Sequence, residues 1–597
     1  MKVIQNLFLI FFFFFITKDL FAGLGNTTWG AGGIKRDIEV NEIEVDTVDK
    51  KEDKKKEKDS SEIDNKFKIK ELEKIDPNTI GTITEKEGGL GYDMWAGSER
   101  NIIQNYLRNL PVNNESGTAI ELMKILLLSN ANVPKSNDPM DLILIRINKL
   151  IELGDFENAK LLIDLVKWVP YKEDNVEILI KQTEINLSLN NFDLACSDIE
   201  EKRKKFTQNI FWAKVEIFCQ ILNDDTNKAN LSISLLKEDK NFNDDNFLEI
   251  IDSLIYKEEI EGENLFDLNL LNLVMTRVAN INIKESYVLN DNPLLLTMIY
   301  RMSNVPIKLR IEAIEKSKKL LNLPIETIEE IYNSYDLKEK DKKISLDDNI
   351  LLGTDTQSIL FQMAITEDNE EKKAKIIKKS LELASINGNL TLISKLNLNS
   401  LLEIKPSKKL SWFSNYAAKS LLISNKKEEA MQWYEISKKE KDKNAELFNN
   451  FIELWVIVEL LNLKDKENQY KNISQNEIFE SINKFESKNT KVVFDTFGFY
   501  ILEHFGMKIN PQFWLINLDN QEIESKQLPN SSLISLLKYS SNDKKVGETI
   551  LLILMSLNGR NFNQLHPFFL QIVISSLNQI GLQEKAFDLL METLIER

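Results

Sequence analysis

Histidine and cysteine are the side chains that most often carry nucleophilic, acid–base or metal chemistry, and this chain of 597 residues has only two of each. His504 and His566 lie far apart in sequence, and neither stands in a Ser-His-Asp, Cys-His or metal-ligand pattern. The 93 acidic residues are so frequent that carboxylate pairs arise by chance. We therefore predict no catalytic residue, no cofactor and no metal ligand, and we expect that the chain is not an enzyme.

The two cysteines, Cys196 and Cys219, do not have the Cys-x-x-Cys spacing of a redox or zinc motif. Cys196 lies in the second helix of one predicted helical hairpin, and Cys219 lies in the first helix of the next. Neighbouring helices and an oxidising compartment would favour a disulfide between them. The alternative is a pair of buried thiols, so the sequence leaves a candidate disulfide.

One alternative function is an envelope enzyme that acts on peptidoglycan or another glycan. Soluble lytic transglycosylases are exported helical proteins of similar length, and their general-acid glutamate belongs to a Glu-Ser pair followed by a Gly-Leu-Met-Gln-type segment. This chain has Glu285-Ser286 in mid-sequence, and no such segment follows. The first interpretation is therefore a binding protein without catalytic activity.

The elements that must position these residues are indicated by a repeated alanine. Segments 153–159, 189–195 and, more loosely, 223–229 end in an alanine six positions after a bulky residue. The spacing is close to the roughly 34-residue period of tetratricopeptide (TPR) hairpins. A small residue lets two helix axes approach to about 8–10 Å. We predict an all-α fold, an α-solenoid of TPR-like hairpins, with these packing residues: Ala159, Ala195, Ala229, Ala430 and Ala586.

The first 22 residues have the features of an export signal. Lys2 precedes an apolar stretch at 7–16, and Ala22 offers a cleavage point. The apolar stretch is shorter than the roughly 20 residues that span a bilayer. We predict a signal peptide at 1–22, leaving open whether it is cleaved or kept as an anchor, and a periplasmic location in a Gram-negative bacterium. No transmembrane segment is predicted in the mature chain.

The rest of the chain is divided by composition. Residues 23–74 include a charged run at 50–59 without apolar residues, so we predict a disordered linker. The helical body is predicted as two halves, 75–335 and 336–597, separated by charges at 337–343. A glycine-dense segment at 88–98 carries aromatic residues that we expect to cap the first hairpin. A phosphate-binding loop is disfavoured there, because no strand precedes it and no Lys-Ser/Thr pair follows.

The charge balance indicates which partners the chain would bind. The 93 acidic residues outnumber the 76 lysines and arginines, for a net charge of −17. Nucleic acids and anionic lipids are bound through lysine and arginine, so both are disfavoured. An acidic surface would suit a basic partner, or would only keep the protein soluble. We predict a protein that binds or scaffolds other envelope proteins, with partners that could be basic.

Three segments resemble an uncharacterised alphaproteobacterial family of exported TPR-like helical-repeat proteins. They are 88–98, the region 212–220 with Cys196 before it, and 566–586. Members of that family sometimes carry a label relating them to antifreeze glycopeptide polyproteins, but this chain lacks Ala-Ala-Thr arrays. The resemblance implies an exported helical body and assigns no functional residue.

Overall fold

The computed structural model describes residues 76–596, apart from 136–137, 139, 167–174, 258–259, 261, 263–264, 266, 290–291, 318–322, 339–354, 468, 489, 491, 493 and 519–527. The predicted signal peptide (1–22) and linker (23–74) lie outside the described residues. All the described helices belong to one compact unit, formed by residues 69–321 and 325–597. Both predicted halves of the body contribute helices to this unit, and the division between them stays a prediction.

The described residues are helical, and they contain no β-strand beyond one isolated bridge between Ile83 and Ser129. The prediction of an all-α fold is therefore confirmed. The helices up to residue 256 are α1 (Arg100–Arg108), α2 (Gly117–Leu128), α3 (Asp141–Glu152), α4 (Phe156–Val166), α5 (Val176–Ser188), α6 (Phe192–Cys196), α7 (Ile199–Lys205), α8 (Ile210–Leu222), α9 (Thr226–Lys237) and α10 (Asp245–Tyr256).

The middle of the chain forms α11 (Leu270–Val278), α12 (Glu285–Leu289), α13 (Pro293–Arg301), α14 (Ile307–Ser317), α15 (Ile325–Asn333), α16 (Thr356–Thr366), α17 (Glu370–Asn387), α18 (Leu390–Leu396) and α19 (Leu398–Leu402). The last part forms α20 (Ser414–Ile423), α21 (Lys427–Glu440), α22 (Ala445–Lys464), α23 (Gln475–Glu486), α24 (Phe497–His504), α25 (Gln512–Leu518), α26 (Ser531–Asn542), α27 (Val546–Leu557), α28 (Pro567–Gln579) and α29 (Gln583–Ile595).

Asparagine and aspartate start many of these helices. Their side-chain oxygens accept hydrogen bonds from backbone N–H groups of the first turn, which otherwise have no partner inside the helix. The capping residues are Asn175, Asn209, Asp225, Asp244, Asn269, Asn292, Asn369, Asn444 and Asn530. The abundance of asparagine in the sequence therefore has a local structural use.

Among the described helices, seven hairpins share one turn geometry. In each, the N–H of the residue before the second helix donates to the carbonyl five positions earlier, over 2.8–3.0 Å. The residue before that donor has a positive φ of 55° to 85°. This is the Schellman arrangement, which stops one helix and reverses the chain. The positive-φ residues are Gly154, Asn190, Asp224, Gly388, Asn425, Lys544 and Gly581.

The five predicted packing alanines all occupy the same place in these hairpins. Each is the fourth residue of its second helix, and each is 0–1% exposed: Ala159, Ala195, Ala229, Ala430 and Ala586. Two further hairpins place Ile393 and Thr549 at the equivalent position, where they are equally buried. The turn and the buried fourth residue are therefore the repeating unit, and alanine is its commonest occupant.

Helices far apart in sequence also pack together. α3 contacts α13, and α5 contacts α11. At the first contact, Gly154 has φ 71°, and a Cβ there would lie 2.2 Å from Thr297 Oγ1. At the second, the Arg277 guanidinium donates to the carbonyls of Leu187 (3.0 Å) and Ser188 (3.3 Å). Repeats in a linear solenoid touch only their neighbours. These contacts, by contrast, join hairpins that are not neighbours in sequence.

The first helices pack against the last ones. α2 contacts α27 and α29, and α1 contacts α27. The Glu592 carboxylate on α29 accepts from the N–H groups of Gly117 and Thr118, both at 2.8 Å, and from Ser116 Oγ at 3.1 Å. A carboxylate at a helix N-terminus satisfies free N–H groups and complements the helix dipole. We call this contact, together with residues 76–98 that adjoin it, the terminal junction.

The glycine-dense segment belongs to this junction. Met94 and Trp95 are buried, and the Gly547 N–H of α27 donates to the Met94 carbonyl over 2.8 Å. A Cβ at Gly547 would lie 2.5 Å from the Trp95 ring, so only glycine leaves room for it. The expectation of an aromatic cap on the first hairpin is therefore incomplete, because Trp95 packs against a helix near the other end of the chain. Tyr92 is 54% exposed.

A buried arginine holds the N-terminal side of the junction together. The Arg146 guanidinium on α3 donates to the carbonyls of Leu127 (2.7 Å), Ile80 (2.7 Å) and Ser129 (3.1 Å). Leu127 and Ser129 lie at the end of α2, where the helix dipole favours a cation. Burial lowers the pKa of Arg146 to about 10.

Candidate binding surface

The two histidines have structural hydrogen bonds in the described chain. His566 is the residue before α28, and its Nδ1 accepts from the Phe568 N–H over 3.2 Å. His504 Nδ1 lies 3.1 Å from Gln571 Nε2, and burial lowers the pKa of this histidine. Among the described residues, no group of three or more His, Cys, Asp or Glu side chains is placed to hold a metal ion.

Cys196 and Cys219 are brought together as a disulfide, with Sγ atoms 1.98 Å apart and Cα atoms 5.7 Å apart. Cys196 is the last residue of α6, and Cys219 lies in the second half of α8. Cys219 is buried, whereas Cys196 is half-buried. The bond therefore joins two successive hairpins, as the sequence allowed, and both of its cysteines line a cavity.

That cavity has a volume of about 560 Å³ and is formed by α7, α8 and the start of α9. We call it the α7–α9 groove. Glu216, Cys219, Gln220 and Asn223 line it from α8, at positions i, i+3, i+4 and i+7, which share one helix face. The other lining residues come from the α6–α9 connections and from α7 and α9: Cys196, Asp198, Ile199, Glu200, Glu201, Lys204, Asp225 and Lys228.

The lining of the groove is acidic. Five carboxylates and two amines line it, and three of the carboxylates are in ion pairs: Asp225 with Lys228 at 2.9 Å, Asp198 with Lys202 at 3.6 Å and Glu216 with Arg203 at 3.8 Å. Burial raises the pKa of Glu216, and nearby Glu200 adds to this effect while Arg203 and Lys204 oppose it. Glu200 and Glu201 are exposed. The negative charge that this open groove presents to solvent is therefore carried mainly by Glu200 and Glu201.

Helix α7 forms one wall of the groove and is attached to α8 at both of its ends. At its start, the disulfide lies two residues before Asp198, which precedes the helix. At its end, the Phe206 ring stacks on the ring of Trp212 with centroids 6.3 Å apart. Lys202 Nζ lies 5.4 Å from the centroid of the same indole. The position of α7 is therefore held by one covalent bond, one aromatic cluster, the buried Ile199 and an ion pair between Arg203 and Glu216.

A second cavity, of about 290 Å³, is lined by residues of α1, α3 and α5. Its charges are largely paired. Asp141 Oδ2 accepts from Arg100 Nε over 3.0 Å, and Lys149 Nζ lies 2.8 Å from Glu152. Burial acts to raise the pKa of Asp141, but hydrogen bonds from Arg100 and the Leu142 N–H hold it below its usual value.

The sequence identified the two cysteines of the groove and missed its carboxylates. Asp198, Glu200 and Glu201 start a run of charged residues that ends at Lys205. Such a run is typical of any solvated helix, so it contains no local signal of a groove. Their common location arises from the packing of α7 on α8.

Comparisons with protein-family models, with curated proteins and with solved structures found no match for this chain. Among the described helices, none combines the length and the apolarity needed to cross a bilayer. We therefore infer function from the geometry of the chain itself.

Proposed function

We propose that this chain is an exported, periplasmic helical-repeat protein of the TPR-like solenoid type. It binds a basic segment of another envelope protein and has no catalytic activity of its own. The observation that carries the proposal is the α7–α9 groove, where five carboxylates and two amines line an open cavity between successive hairpins.

The chemistry of the groove favours a lysine- or arginine-containing ligand. Complementary charges steer encounter and orient the partner, even where each exposed pair contributes only about 0–1 kcal/mol. Hairpin arrays commonly present such surfaces to peptides and helices. Export is supported by the pattern at 1–22, and periplasmic exposure would agree with the Cys196–Cys219 disulfide.

Binding is tested with a fluorescent octalysine peptide and its octaglutamate counterpart, by anisotropy at low and at 0.5 M salt. We expect the lysine peptide to bind, and we expect the affinity to fall steeply with salt. The double variant Glu200→Gln/Glu201→Gln should weaken binding about three- to tenfold, because it removes two exposed carboxylates from the groove.

The matched control is Glu370→Gln/Glu371→Gln. These two glutamates are also adjacent, exposed and in the first turn of a helix, α17, and they do not line the groove. An equal effect of both double variants would show that the peptide is attracted to the acidic protein as a whole, and would rule out the groove as its binding site.

Crosslinking in intact cells, followed by purification of wild type and of the groove variant, then identifies the partner as a protein captured only by wild type. Recovery of the chain from cytosol rather than periplasm would contradict export.

A further inference from the structure

Both cysteines of the disulfide line the open α7–α9 groove, and the more exposed of the two is Cys196, which is half-buried. The α7–α9 groove gives a small thiol a path to it, whereas Cys219 is 3% exposed. Five carboxylates and two amines line the same cavity, so its lining has a net negative charge. The thiolate that attacks a disulfide is itself an anion. We therefore expect the groove to admit a small thiol and to favour one without additional negative charge.

We propose that Cys196–Cys219 is a site of reversible thiol–disulfide exchange with a neutral or cationic dithiol reductant, and that its reduction releases α7 from α8. The attacking thiolate bonds to Cys196 Sγ, and the Cys196–Cys219 bond breaks. Its electron pair leaves on Cys219 Sγ, which takes a proton from solvent. The second thiol of the reductant then displaces Cys196 as a thiol. The protein gains two electrons, and the dithiol becomes a disulfide.

Release of α7 follows from how that helix is held. After reduction, α7 is held by the contacts of Phe206 and Lys202 with Trp212, by the buried Ile199 and by the ion pair of Arg203 with Glu216 over 3.8 Å. A helix of seven residues is too short to be stable without tertiary contacts. Its sequence contains four adjacent basic residues, 202–205, so trypsin reports its opening directly.

The charge selection is tested on the full-length oxidised protein with three monothiols. They are cysteamine (cationic), 2-mercaptoethanol (neutral) and 2-mercaptoethanesulfonate (anionic), with rates corrected for thiolate fraction and followed by alkylation and mass spectrometry. We expect cysteamine to react about tenfold faster than the sulfonate at low salt, and we expect this ratio to collapse in about 0.5 M salt. Glu216→Gln should narrow the ratio, and Asp245→Asn on α10, outside the groove, should not.

Release of α7 is tested by limited trypsinolysis before and after reduction. We expect cleavage at 202–205 to accelerate at least fivefold, and the Cys196→Ser/Cys219→Ser variant to match the reduced protein without any reductant. Equal rates for the three thiols, or a disulfide reduced only when the protein unfolds, would overturn the exchange site. Unchanged cleavage would overturn the release of α7. None of these measurements uses the basic ligand, so their failure is distinct from failure of the proposed binding function.

Discussion

In the terminal junction, the Glu592 carboxylate is bonded to the backbone N–H groups of Gly117 and Thr118, whereas in the α7–α9 groove Glu200 and Glu201 face solvent. The junction joins helices that are more than 400 residues apart, and its charged side chains are hydrogen-bonded to backbone groups. The groove is built from one continuous stretch, 196–228, and its two exposed glutamates, Glu200 and Glu201, are accessible to a ligand.

This difference implies that the charges of the junction contribute to stability, whereas the exposed charges of the groove contribute to binding. Removing a charge that satisfies buried backbone groups leaves those groups without a partner, which costs about 1–3 kcal/mol for each. Removing an exposed carboxylate changes stability by less than about 0.5 kcal/mol. Substitutions in the junction should therefore destabilise the protein without altering the groove, and substitution of the exposed Glu200 and Glu201 should alter binding with little effect on stability.

The largest effect is expected from Arg146→Met. The variant keeps the apolar stem but leaves the carbonyls of Ile80, Leu127 and Ser129 without their donor. We expect the free energy of unfolding to fall by about 3–5 kcal/mol, measured by urea denaturation. Arg108→Met is the control, because Arg108 is an exposed arginine on α1, and its cost should stay within about 0.5 kcal/mol. Equal costs would show that the buried guanidinium does not organise the junction.

A smaller effect is expected from Glu592→Gln. The amide keeps the shape of the side chain but loses the charge at the N-terminus of α2, so we expect a loss of about 1–2 kcal/mol. Hydrogen exchange should accelerate at the amides of Gly117 and Thr118. Glu584→Gln on the same helix is the matched control, because Glu584 forms an exposed ion pair with Lys464. If Gly117 exchanges equally in both variants, then the two ends of the described chain do not meet in solution.

The same contrast explains which features the sequence could predict. The packing alanines were found because a six-residue offset recurs locally, and the candidate disulfide followed from placing its cysteines in adjacent hairpins. Two hairpins were missed, since they have Ile393 and Thr549 where the others have alanine. The turn requires a residue with positive φ and, five positions later, a side chain that fits between the two helices of the hairpin where they cross. That rule is broader than any one residue type.

The terminal junction left no such local signal. Trp95 and Gly547 stand more than 450 residues apart, and each has an ordinary local explanation, an aromatic in a loop and a glycine near a helix start. Their contact arises from tertiary packing, and a single sequence does not reveal such pairs. The groove carboxylates were hidden for a related reason, because a charged helix has the same pattern wherever it packs.

The smallest effect is expected from protonating the groove. Burial, with a contribution from Glu200, raises the pKa of Glu216 against the opposing charges of Arg203 and Lys204, so as the pH falls from neutral this carboxyl takes up a proton earlier than an ordinary glutamate does. We expect octalysine binding to weaken about two- to fivefold as this carboxyl is protonated, and Glu216→Gln to bind more weakly at neutral pH with a flatter pH profile.

The free energy of unfolding should change with pH in the opposite direction to the binding affinity. The folded state holds this proton more tightly than the unfolded chain does, so ionisation costs stability as the pH rises. Glu216→Gln should therefore stabilise slightly at neutral pH and have no such effect below the unfolded-state pKa. Glu238→Gln, at the exposed end of α9 outside the groove, should leave both profiles unchanged. A wild-type binding profile without any change over this range would show that the ligand does not sense Glu216.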